Sequence, residues 1–292
     1  MHIEMVCRTD KGLVREHNED SIGGEQSQGL VVLADGMGGY HGGEIASELA
    51  VKTIMEELYT PLKNVECVKR HINHRYHFTT VLLERAVLKA NQEIYNMASD
   101  KIDYKNMGTT VVAALFNDNF ISVAHVGDSR LYRLRGNKLS QITKDHSIRQ
   151  ELIDCGYYTK EQARNSPNHS VTRSLGESQV NVDIQEDRMF SRDIYLLCSD
   201  GLSDMLDDNE IYNILSKNSQ LEQAAQLLIE AANAKGGKDN ISLILVRPLQ
   251  VTSKQRKGWL QKLFGFRKKI SNDSNKNQNE ISILSKINLG LQ

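Results

Sequence analysis

Apolar and polar positions follow two different periods along the chain, and these periods separate helical regions from strands. Between about Thr79 and Met97 the apolar residues recur every three or four positions, which predicts an amphipathic helix. A similar spacing predicts a helix from Glu44 to about Tyr59. Two shorter helices are predicted later in the chain, over 208–216 and 221–234.

Short apolar runs separated by turn residues predict β-strands in much of the remaining chain. From Thr109 to Ile142 four such runs alternate with turn residues, which is typical of an antiparallel meander. Further strands are predicted over residues 1–8, 30–35, 180–184, 193–198 and 241–246. Because helices and strands come in blocks and do not alternate strictly, the order favours an α+β fold.

The composition is that of an ordinary globular protein. The chain has 292 residues, of which 39% are hydrophobic and 25% charged, with a formal net charge of −1. A nearly neutral chain has no global attraction to nucleic acid, so we expect no nucleic-acid partner. The four cysteines form no Cys-x-x-Cys pair, which is typical of free thiols in a reducing compartment. With neither a secretory leader nor an apolar run of about 20 residues, a cytoplasmic protein is expected.

The composition changes after about Arg247. Residues 254–269 contain seven basic residues and no acidic ones, with aromatic and aliphatic residues between them. We therefore predict a folded domain over 1–247 and a flexible tail over 248–292. Three interpretations of the basic segment stay open: a solvated linker, a weak contact with a membrane surface, or a docking site for a partner.

Four aspartates adjoin apolar runs, each within a tight turn. Asp35, Asp128 and Asp200 each end a run, and Asp239 introduces one. If the runs are strands of one fold, these carboxylates can gather at one edge of it. Clustered carboxylates repel each other unless a cation lies between them, and hard divalent cations prefer oxygen ligands. The pattern indicates a candidate metal-dependent hydrolase.

The neighbouring residues suggest how such a hydrolase could act on a phosphoester. A glycine follows Asp35, so the carbonyl of Gly36 is accessible as a further ligand. If Asp35 lies between two cations, these can deprotonate a water for in-line attack on phosphorus. Arg15 can bind two phosphate oxygens at once. Glu19 and Asp20 could orient metal-bound waters.

Eight short motifs occur in the order seen in one known family. They are Arg15 with Asn18-Glu-Asp20, Asp35-Gly-Met-Gly-Gly39, Gly108-Thr-Thr110, Gly127-Asp-Ser-Arg130, Asp145-His146, Thr172-Arg-Ser-Leu-Gly176, Ser199-Asp-Gly201 and Asp239-Asn240. Over roughly residues 1–247 the chain thereby resembles the metal-dependent, type 2C protein serine/threonine phosphatases, and most closely their bacterial branch. Each motif alone is weak because Asp-Gly is common in turns, but eight in order are specific.

The resemblance implies a fold and a set of metal ligands. The fold is a pair of antiparallel β-sheets sandwiched between layers of helices. The ions are Mn²⁺ or Mg²⁺, two in the core of the site and a third that is looser. The implied ligands are Asp20, Asp35, Gly36, Asp128, Asp200 and Asp239. Among them, Asp20 would bind through water, Gly36 through its carbonyl, and Asp128 would belong to the third ion.

The resemblance also implies catalytic roles, and the chain departs at one position from the animal members of the family. Arg15 matches the phosphate-binding arginine, and Arg15 and Asp35 are the implied catalytic residues. Residues 147–165 have a polar helical pattern that Gly156 breaks. Residues 147–175 match a mobile flap that affects substrate choice. Animal members carry a histidine directly after Asp-Gly as the proposed general acid, whereas this chain has Met37, which cannot donate a proton. The donor to the leaving group is thus unassigned, with a metal-bound water as our hypothesis.

The expected function is hydrolysis of phosphoserine and phosphothreonine on proteins by a water activated between two metal ions. A monomer without an organic cofactor is expected, acting against a serine/threonine protein kinase of the same cell. Two alternatives stay open. One is a non-catalytic relative that binds phosphoproteins, although such a module would have no reason to keep Asp35, Asp200 and Asp239. The other is a metal phosphohydrolase for small phosphoesters.

Some residues that could suggest other sites have simpler interpretations. His71, His74 and His77 lie in a polar stretch without a matching carboxylate, so they are expected to be surface histidines. Asp145 and His146 are interpreted as a helix cap and its neighbour.

Overall fold

Strands in the described part of the chain form two antiparallel sheets. In this computed structural model the described residues are 2–38, 42–63, 76–100, 102–117, 119–164, 166 and 170–250. The strands are β1 (His2–Asp10), β2 (Asp20–Glu25), β3 (Leu30–Met37), β4 (Gly108–Thr109), β5 (Val111–Phe116), β6 (Phe120–Val126), β7 (Arg130–Arg135), β8 (Lys138–Gln141), β9 (Asp183–Arg188), β10 (Ile194–Cys198) and β11 (Ile241–Gln250). The first sheet has the order β1-β11-β10-β7-β8, and the second has the order β2-β3-β5-β6-β9 with β4 paired to β3.

Helices cover the outer faces of both sheets. They are α1 (Gly42–Lys63), α2 (Phe78–Asp100), α3 (Ile148–Asp154), α4 (Lys160–Arg164), α5 (Asp200–Ser203), α6 (Asp208–Lys217) and α7 (Leu221–Ala234), with a short 3₁₀ turn at Ile102–Tyr104. One apolar layer joins α1 and α2 to the second sheet, and another joins α5, α6 and α7 to the first. A third layer lies between the sheets. This confirms the expected α+β sandwich.

Strand β3 shows how the sequence builds these layers. Leu30, Val32 and Ala34 pack in the layer under α1 and α2, whereas Val31 and Leu33 pack in the layer between the sheets. A strand that is buried on both faces needs apolar residues at every position, which explains the unbroken apolar run before Asp35.

The predicted meander over 109–142 is only partly correct. β5 pairs with β6, and β7 pairs with β8, but β6 and β7 belong to different sheets. The chain crosses between the sheets at Gly127, which has a φ of 105° and lies against Thr110. Hydrophobic periodicity cannot distinguish a hairpin from such a crossing, because both are short turns between apolar runs. The crossing places Asp128 beside both sheets.

The largest differences between the predicted and the observed strands concern β2, β9 and β11. β2 was not predicted, because Gly23 and Gly24 interrupt its apolar pattern. The strand predicted over 180–184 lies at Asp183–Arg188 on the edge of the second sheet. β11 continues past Val246 to Gln250, pairing there only with β1. Pro248 is tolerated because that part of β11 has a neighbour on one side only.

None of the helices within the described ranges is long and apolar enough to cross a bilayer. The predicted tail over 248–292, with its basic segment 254–269, lies outside the described residues from position 251 onward, as do His71 and His74. The domain boundary near residue 248 stays a prediction.

Candidate metal centre

Antiparallel pairing of β2 with β3 places two of the predicted ligands opposite each other. Asp20 is the first residue of β2, and its partner in register is Asp35 near the end of β3. The Gly36 N–H donates to the carbonyl of Glu19 over 3.1 Å, which extends the pairing by one residue. The Glu19-Asp20 and Asp35-Gly36 motifs therefore lie side by side.

Ser199 connects this pair to the first sheet. Its hydroxyl donates to Asp20 Oδ2 over 2.9 Å, and its N–H donates to the carbonyl of Ser242 over 3.0 Å. Asp200 follows as the first residue of α5, and Asp239 lies two residues before β11. Because β10 and β11 are neighbours, Asp200 and Asp239 lie at the same end of that sheet, next to Asp20.

The charges of the other aspartates converge on Asp35. Burial is the largest cause that raises the pKa of Asp35 well above its usual range, followed by the charges of Asp20, Asp200, Asp128 and Asp239. The structure thus brings together five predicted ligands that are far apart in sequence, and four of them lie close enough to Asp35 to disfavour its ionisation.

Three other carboxyls of the cluster are perturbed in the same direction. Burial raises the pKa of Asp20 to about 6 and that of Asp128 to about 7. Burial, followed by the charge of Asp128, raises the pKa of Asp200 well above its usual range. Ionising this cluster is therefore costly without a compensating positive charge.

The donor set fits divalent cations. Every side-chain ligand is a carboxylate, which is the ligand type that Mg²⁺ and Mn²⁺ prefer. Asp20 Oδ1 is buried and has no hydrogen-bond partner within the described residues. A buried, unpaired carboxylate oxygen costs free energy unless a cation or a water that a cation orients lies against it. The residues present thus agree with the predicted metal site.

Gly36 and Gly201 are required by close packing. A Cβ atom on Gly36 would lie 2.1 Å from the carbonyl oxygen of Gly43 at the start of α1. A Cβ atom on Gly201 would lie 2.0 Å from the carbonyl oxygen of Asn240. A glycine after Asp35 is expected to leave the backbone accessible, and the packing shows in addition that no side chain would fit there.

Thr109 and Thr110 hold the backbone of Asp35. The Thr110 hydroxyl accepts from the Asp35 N–H over 3.1 Å, and the Thr109 hydroxyl donates to the Asp35 carbonyl over 2.8 Å. Thr110 also hydrogen-bonds Ser129, 2.7 Å away in the turn after Asp128. The Gly108-Thr-Thr110 motif therefore connects two of the predicted ligand turns.

Arg15 lies at the entrance to the cluster. Its Nη2 donates to Asp239 Oδ2 over 2.7 Å, and 52% of its side chain is exposed. The hydrogen bond to Asp239 and the charge of Glu19 are among the causes that raise the pKa of Arg15, so it stays protonated. A phosphate arriving from solvent can reach this guanidinium.

Sequence reasoning gave no role to Asn240 or Asp204. Asn240 Oδ1 accepts from the Glu19 N–H over 2.8 Å, and its Nδ2 donates to the carbonyls of Lys11 and His17, each over 2.9 Å. The charge of Asp204 adds to the raised pKa of both Asp128 and Asp200. Its position four residues after Asp200, on one side of a helical turn, was the available sequence signal.

Asp145 and His146 support the turn that carries Asp128. Arg130 Nε donates one bifurcated hydrogen bond to both carboxylate oxygens of Asp145, and Arg130 Nη2 donates a second bond to Asp145 Oδ2. The interpretation of Asp145 as a helix cap is wrong, because Ser147 caps α3 and its hydroxyl accepts from the Gln150 N–H. The Gly127 N–H donates to His146 Nδ1 over 3.1 Å.

A second group of ligand-type side chains lies nearby within the described residues. It consists of His125, His146 and Asp183, whose ligand atoms lie within 4.8 Å of one another. Because Nδ1 of His146 accepts from Gly127, a neutral His146 carries its proton on Nε2, 3.3 Å from Asp183 Oδ2. His146 then has no second lone pair for a metal, and Arg173 supplies the positive charge beside Asp183 over 3.1 Å.

The segment 147–175 borders the cluster. A cavity of about 380 Å³ is lined by Asp128 and Asp200 on one side and by Arg149 and Lys160 on the other. Arg149 in α3 pairs with Asp204 over 3.0 Å. The described residues of this segment thus border the cluster, and the assignment of 147–175 as a flap stays a prediction.

Comparisons with known proteins agree with this geometry. The family model described as Protein phosphatase 2C matches residues 13–245. The chain is 38% identical over 253 residues to the serine/threonine phosphatase stp of Listeria welshimeri, which covers 84% of this chain and 95% of that protein.

Solved structures show the same similarity. The crystal structure of the Mycobacterium tuberculosis serine/threonine phosphatase PstP/Ppp has a TM-score of 0.76 and 35% identity, covering 85% of this chain and 99% of that one. A structure of the PstP catalytic domain in complex with two manganese ions has a TM-score of 0.73 and 35% identity, covering 84% and 97% of the two chains.

Proposed function

Since the chain belongs to the protein phosphatase 2C family, we propose that it hydrolyses phosphoserine and phosphothreonine on other proteins. It is a metal-dependent protein phosphatase of the bacterial type. The observation that carries the proposal is the convergence of five aspartates in one cluster beside Arg15. Such a centre suits phosphoester hydrolysis because both the attacking oxygen and the phosphate oxygens are negatively charged.

The cofactor is Mn²⁺ or Mg²⁺, and we propose the residues that hold it. Asp35, Asp200 and Asp239 would bind the two core ions with the carbonyl of Gly36, and Asp20 would bind through water. Asp128 would contribute to a third ion. When bound, these ions lower the pKa of water, so that hydroxide is available near neutral pH, and neutralise phosphate oxygens.

The chain's own side chains would position the substrate. Arg15 is protonated and half-exposed, so it can bind two phosphate oxygens in place of its bond to Asp239. Glu19 lies close enough to Arg15 to raise its pKa, and we propose that it orients waters at the rim. Asp35 is held on its backbone by Thr109 and Thr110, so its carboxylate is preorganised for metal binding.

Met37 stands where animal members carry the proposed histidine donor, so no side chain at this position can protonate the leaving alcohol. Met37 pairs with Gly108 across β3 and β4, directly after Asp35-Gly36, which lies within β3 and not in the predicted turn. A thioether carries no proton to donate. We propose that the proton comes from water in the site.

The wider setting is also part of the proposal. The substrates are phosphorylated proteins, and a serine/threonine protein kinase would supply them. A cytoplasmic monomer is consistent with free Cys7, Cys155 and Cys198 in the described residues. The basic segment 254–269 would make at most a weak contact with a membrane surface or partner.

The direct test compares phosphoserine, phosphothreonine and phosphotyrosine peptides with Mn²⁺, Mg²⁺ or chelator. Metal-dependent phosphate release from the first two peptides is expected, and Asp35→Asn should lower it by at least about a thousandfold because the central ligand loses its charge. Asp103→Asn, which changes an exposed aspartate in the 3₁₀ turn, is the matched control. Full activity of Asp35→Asn, or equal activity in chelator, would contradict the proposal.

A further inference from the structure

Two bulky apolar side chains stand in solvent directly before Arg15. Leu13 is 68% exposed and Val14 is 66% exposed. Among the exposed large apolar side chains of the described residues, only Tyr157 is more exposed, at 75%. Single exposed apolar residues are ordinary on protein surfaces. Two in succession beside a phosphate-binding residue need a more specific explanation.

The loop that carries them is held firmly. Asn240 Nδ2 donates to the carbonyls of Lys11 and His17, at the two ends of the loop. Between these ends, the Leu13 N–H donates to the carbonyl of Gly237 over 2.8 Å. These hydrogen bonds hold Leu13 and Val14 in their exposed positions, so their exposure does not result from a loose loop.

The same loop packs directly on a predicted metal ligand. Gly12 has a φ of 75°, and a Cβ atom on it would lie 2.2 Å from the carbonyl oxygen of Asp239. Gly237 has a φ of 48°, and a Cβ atom there would lie 3.0 Å from Leu13 Cγ. The apolar pair is thus fixed relative to Asp239 and to Arg15, which binds Asp239.

We propose that Leu13 and Val14 form a contact surface for aliphatic side chains that flank the phosphorylated residue of the substrate. The inference rests on the proposed function and narrows its substrate class. Consecutive Cα atoms are about 3.8 Å apart, so Val14 adjoins Arg15 and Leu13 lies within roughly 8 Å of it, Cα to Cα. An extended peptide advances about 3.3 Å per residue, so residues one or two positions from the phosphorylated residue can reach this surface.

The kind of substrate side chain that binds to Leu13 and Val14 follows from their position next to Arg15. A peptide whose phosphate is bound by Arg15 has to pass over the loop that carries Arg15. Leu13 and Val14 offer no hydrogen bonds from their side chains, so a substrate side chain gains there by burying apolar area. A leucine, isoleucine or valine next to the phosphorylated residue meets this condition, and a charged residue does not.

The experiment uses two phosphothreonine peptides that differ only at the positions within two residues of the phosphothreonine, which are leucine in one and serine in the other. The native protein with Mn²⁺ should show a kcat/KM roughly tenfold higher for the leucine peptide. In the double variant Leu13→Ser/Val14→Ser the ratio should fall to near one, because kcat/KM for the leucine peptide falls to the level of the serine peptide. Leu88→Ser, which changes an exposed leucine on α2, should keep the native ratio.

Each other outcome has a defined meaning. A native ratio near one, or an unchanged ratio in the double variant, overturns the inference and leaves the proposed function intact. If the native protein hydrolyses neither peptide, the proposed function fails and the inference with it. If the double variant does not fold, Leu13→Ala alone should lower the ratio, and a native ratio in that variant overturns the inference. A native dimer that the double variant abolishes would assign the surface to a second copy of the chain and overturn it as well.

Discussion

At the scale of single residues, the glycines that follow Asp35 and Asp200 restrict the site most. Each lies where a neighbouring backbone carbonyl leaves no room for a Cβ atom. Through Gly36, helix α1 packs directly on the end of β3, and through Gly201, helix α5 packs directly on the residue after Asp239. The carboxylates are therefore positioned by backbone contacts between elements, which are stiffer than contacts between long side chains.

Gly36→Ala should destabilise the protein strongly. The added methyl group would lie 2.1 Å from the Gly43 carbonyl oxygen, so α1 or β3 has to move. We expect the free energy of unfolding to fall by about 2 to 3 kcal/mol. Urea denaturation of the metal-free protein measures this without relying on activity.

Gly136→Ala is the matched control for that measurement. A Cβ atom at Gly136 would meet nothing within 4 Å, although its φ of 56° adds about 1 kcal/mol of backbone strain. Equal losses in the two variants would show that the contact between Gly36 and Gly43 is not rigid.

At the scale of elements, periodicity predicted the long helices and most strands well. The predicted helix over 79–97 lies within α2, and the runs at Phe120–Val126 and Arg130–Arg135 are β6 and β7. Such patterns can be recognised within a short stretch of sequence, because burial of one helix face or of both strand faces requires apolar residues at regular intervals.

The crossing between β6 and β7 could not be predicted from the periodicity of apolar residues. Which sheet a strand joins depends on contacts between distant residues, such as the pairing of β7 with β10. The role of Asn240 could not be predicted either, because its hydrogen-bond partners Lys11 and His17 are more than two hundred positions away in the sequence. The predicted ligand aspartates were identified because short motifs surround them.

Arg149→Met should loosen α3 without unfolding the protein. Arg149 Nη1 lies 3.0 Å from Asp204 Oδ1, and its Nη2 donates to the Ser166 carbonyl over 2.8 Å. Loss of these contacts removes a connection between α3 and the end of α5. We expect the amides of Ile148–Asp154 to exchange with solvent roughly tenfold faster, measured by hydrogen exchange.

Arg164→Met separates that effect from a simple loss of charge. Arg164 lies 3.9 Å from Asp207 in a more exposed pair, which contributes little to stability. In the Arg164→Met variant, the amides of α3 should exchange with solvent at the same rate as in the native protein. Unchanged exchange in Arg149→Met would mean that α3 is held by other contacts.

At the scale of the whole molecule, the carboxylate cluster couples folding to pH and to metal. The pKa of Asp128 is about 7 in the folded chain and about 3.9 in an unfolded one. Its contribution to stability is complete below the unfolded value and is lost as the pH rises through 7. The lowered pKa values of His125 and His146 act oppositely, since their contribution is lost as the pH falls below about 6.5.

Between pH 6.5 and 8.0 the aspartates should therefore dominate. In chelator, the free energy of unfolding should fall by about 1 kcal/mol over this range from Asp128 alone. Saturating Mn²⁺ should stabilise the protein more at pH 8.0 than at pH 6.5, because ionised carboxylates bind the metal. Denaturant titrations at both pH values, with and without Mn²⁺, measure this. A free energy of unfolding in chelator that rises between pH 6.5 and 8.0 would contradict this account of the aspartate cluster.

The convergence of the aspartates on a metal centre is tested most directly by a crystal structure of the protein with Mn²⁺, using anomalous scattering from manganese. Two strong anomalous peaks are predicted in contact with carboxylate oxygens of Asp35, Asp200 and Asp239. A structure with saturating Mn²⁺ that shows no peak among these three residues, or peaks held only by other residues, would contradict the central claim.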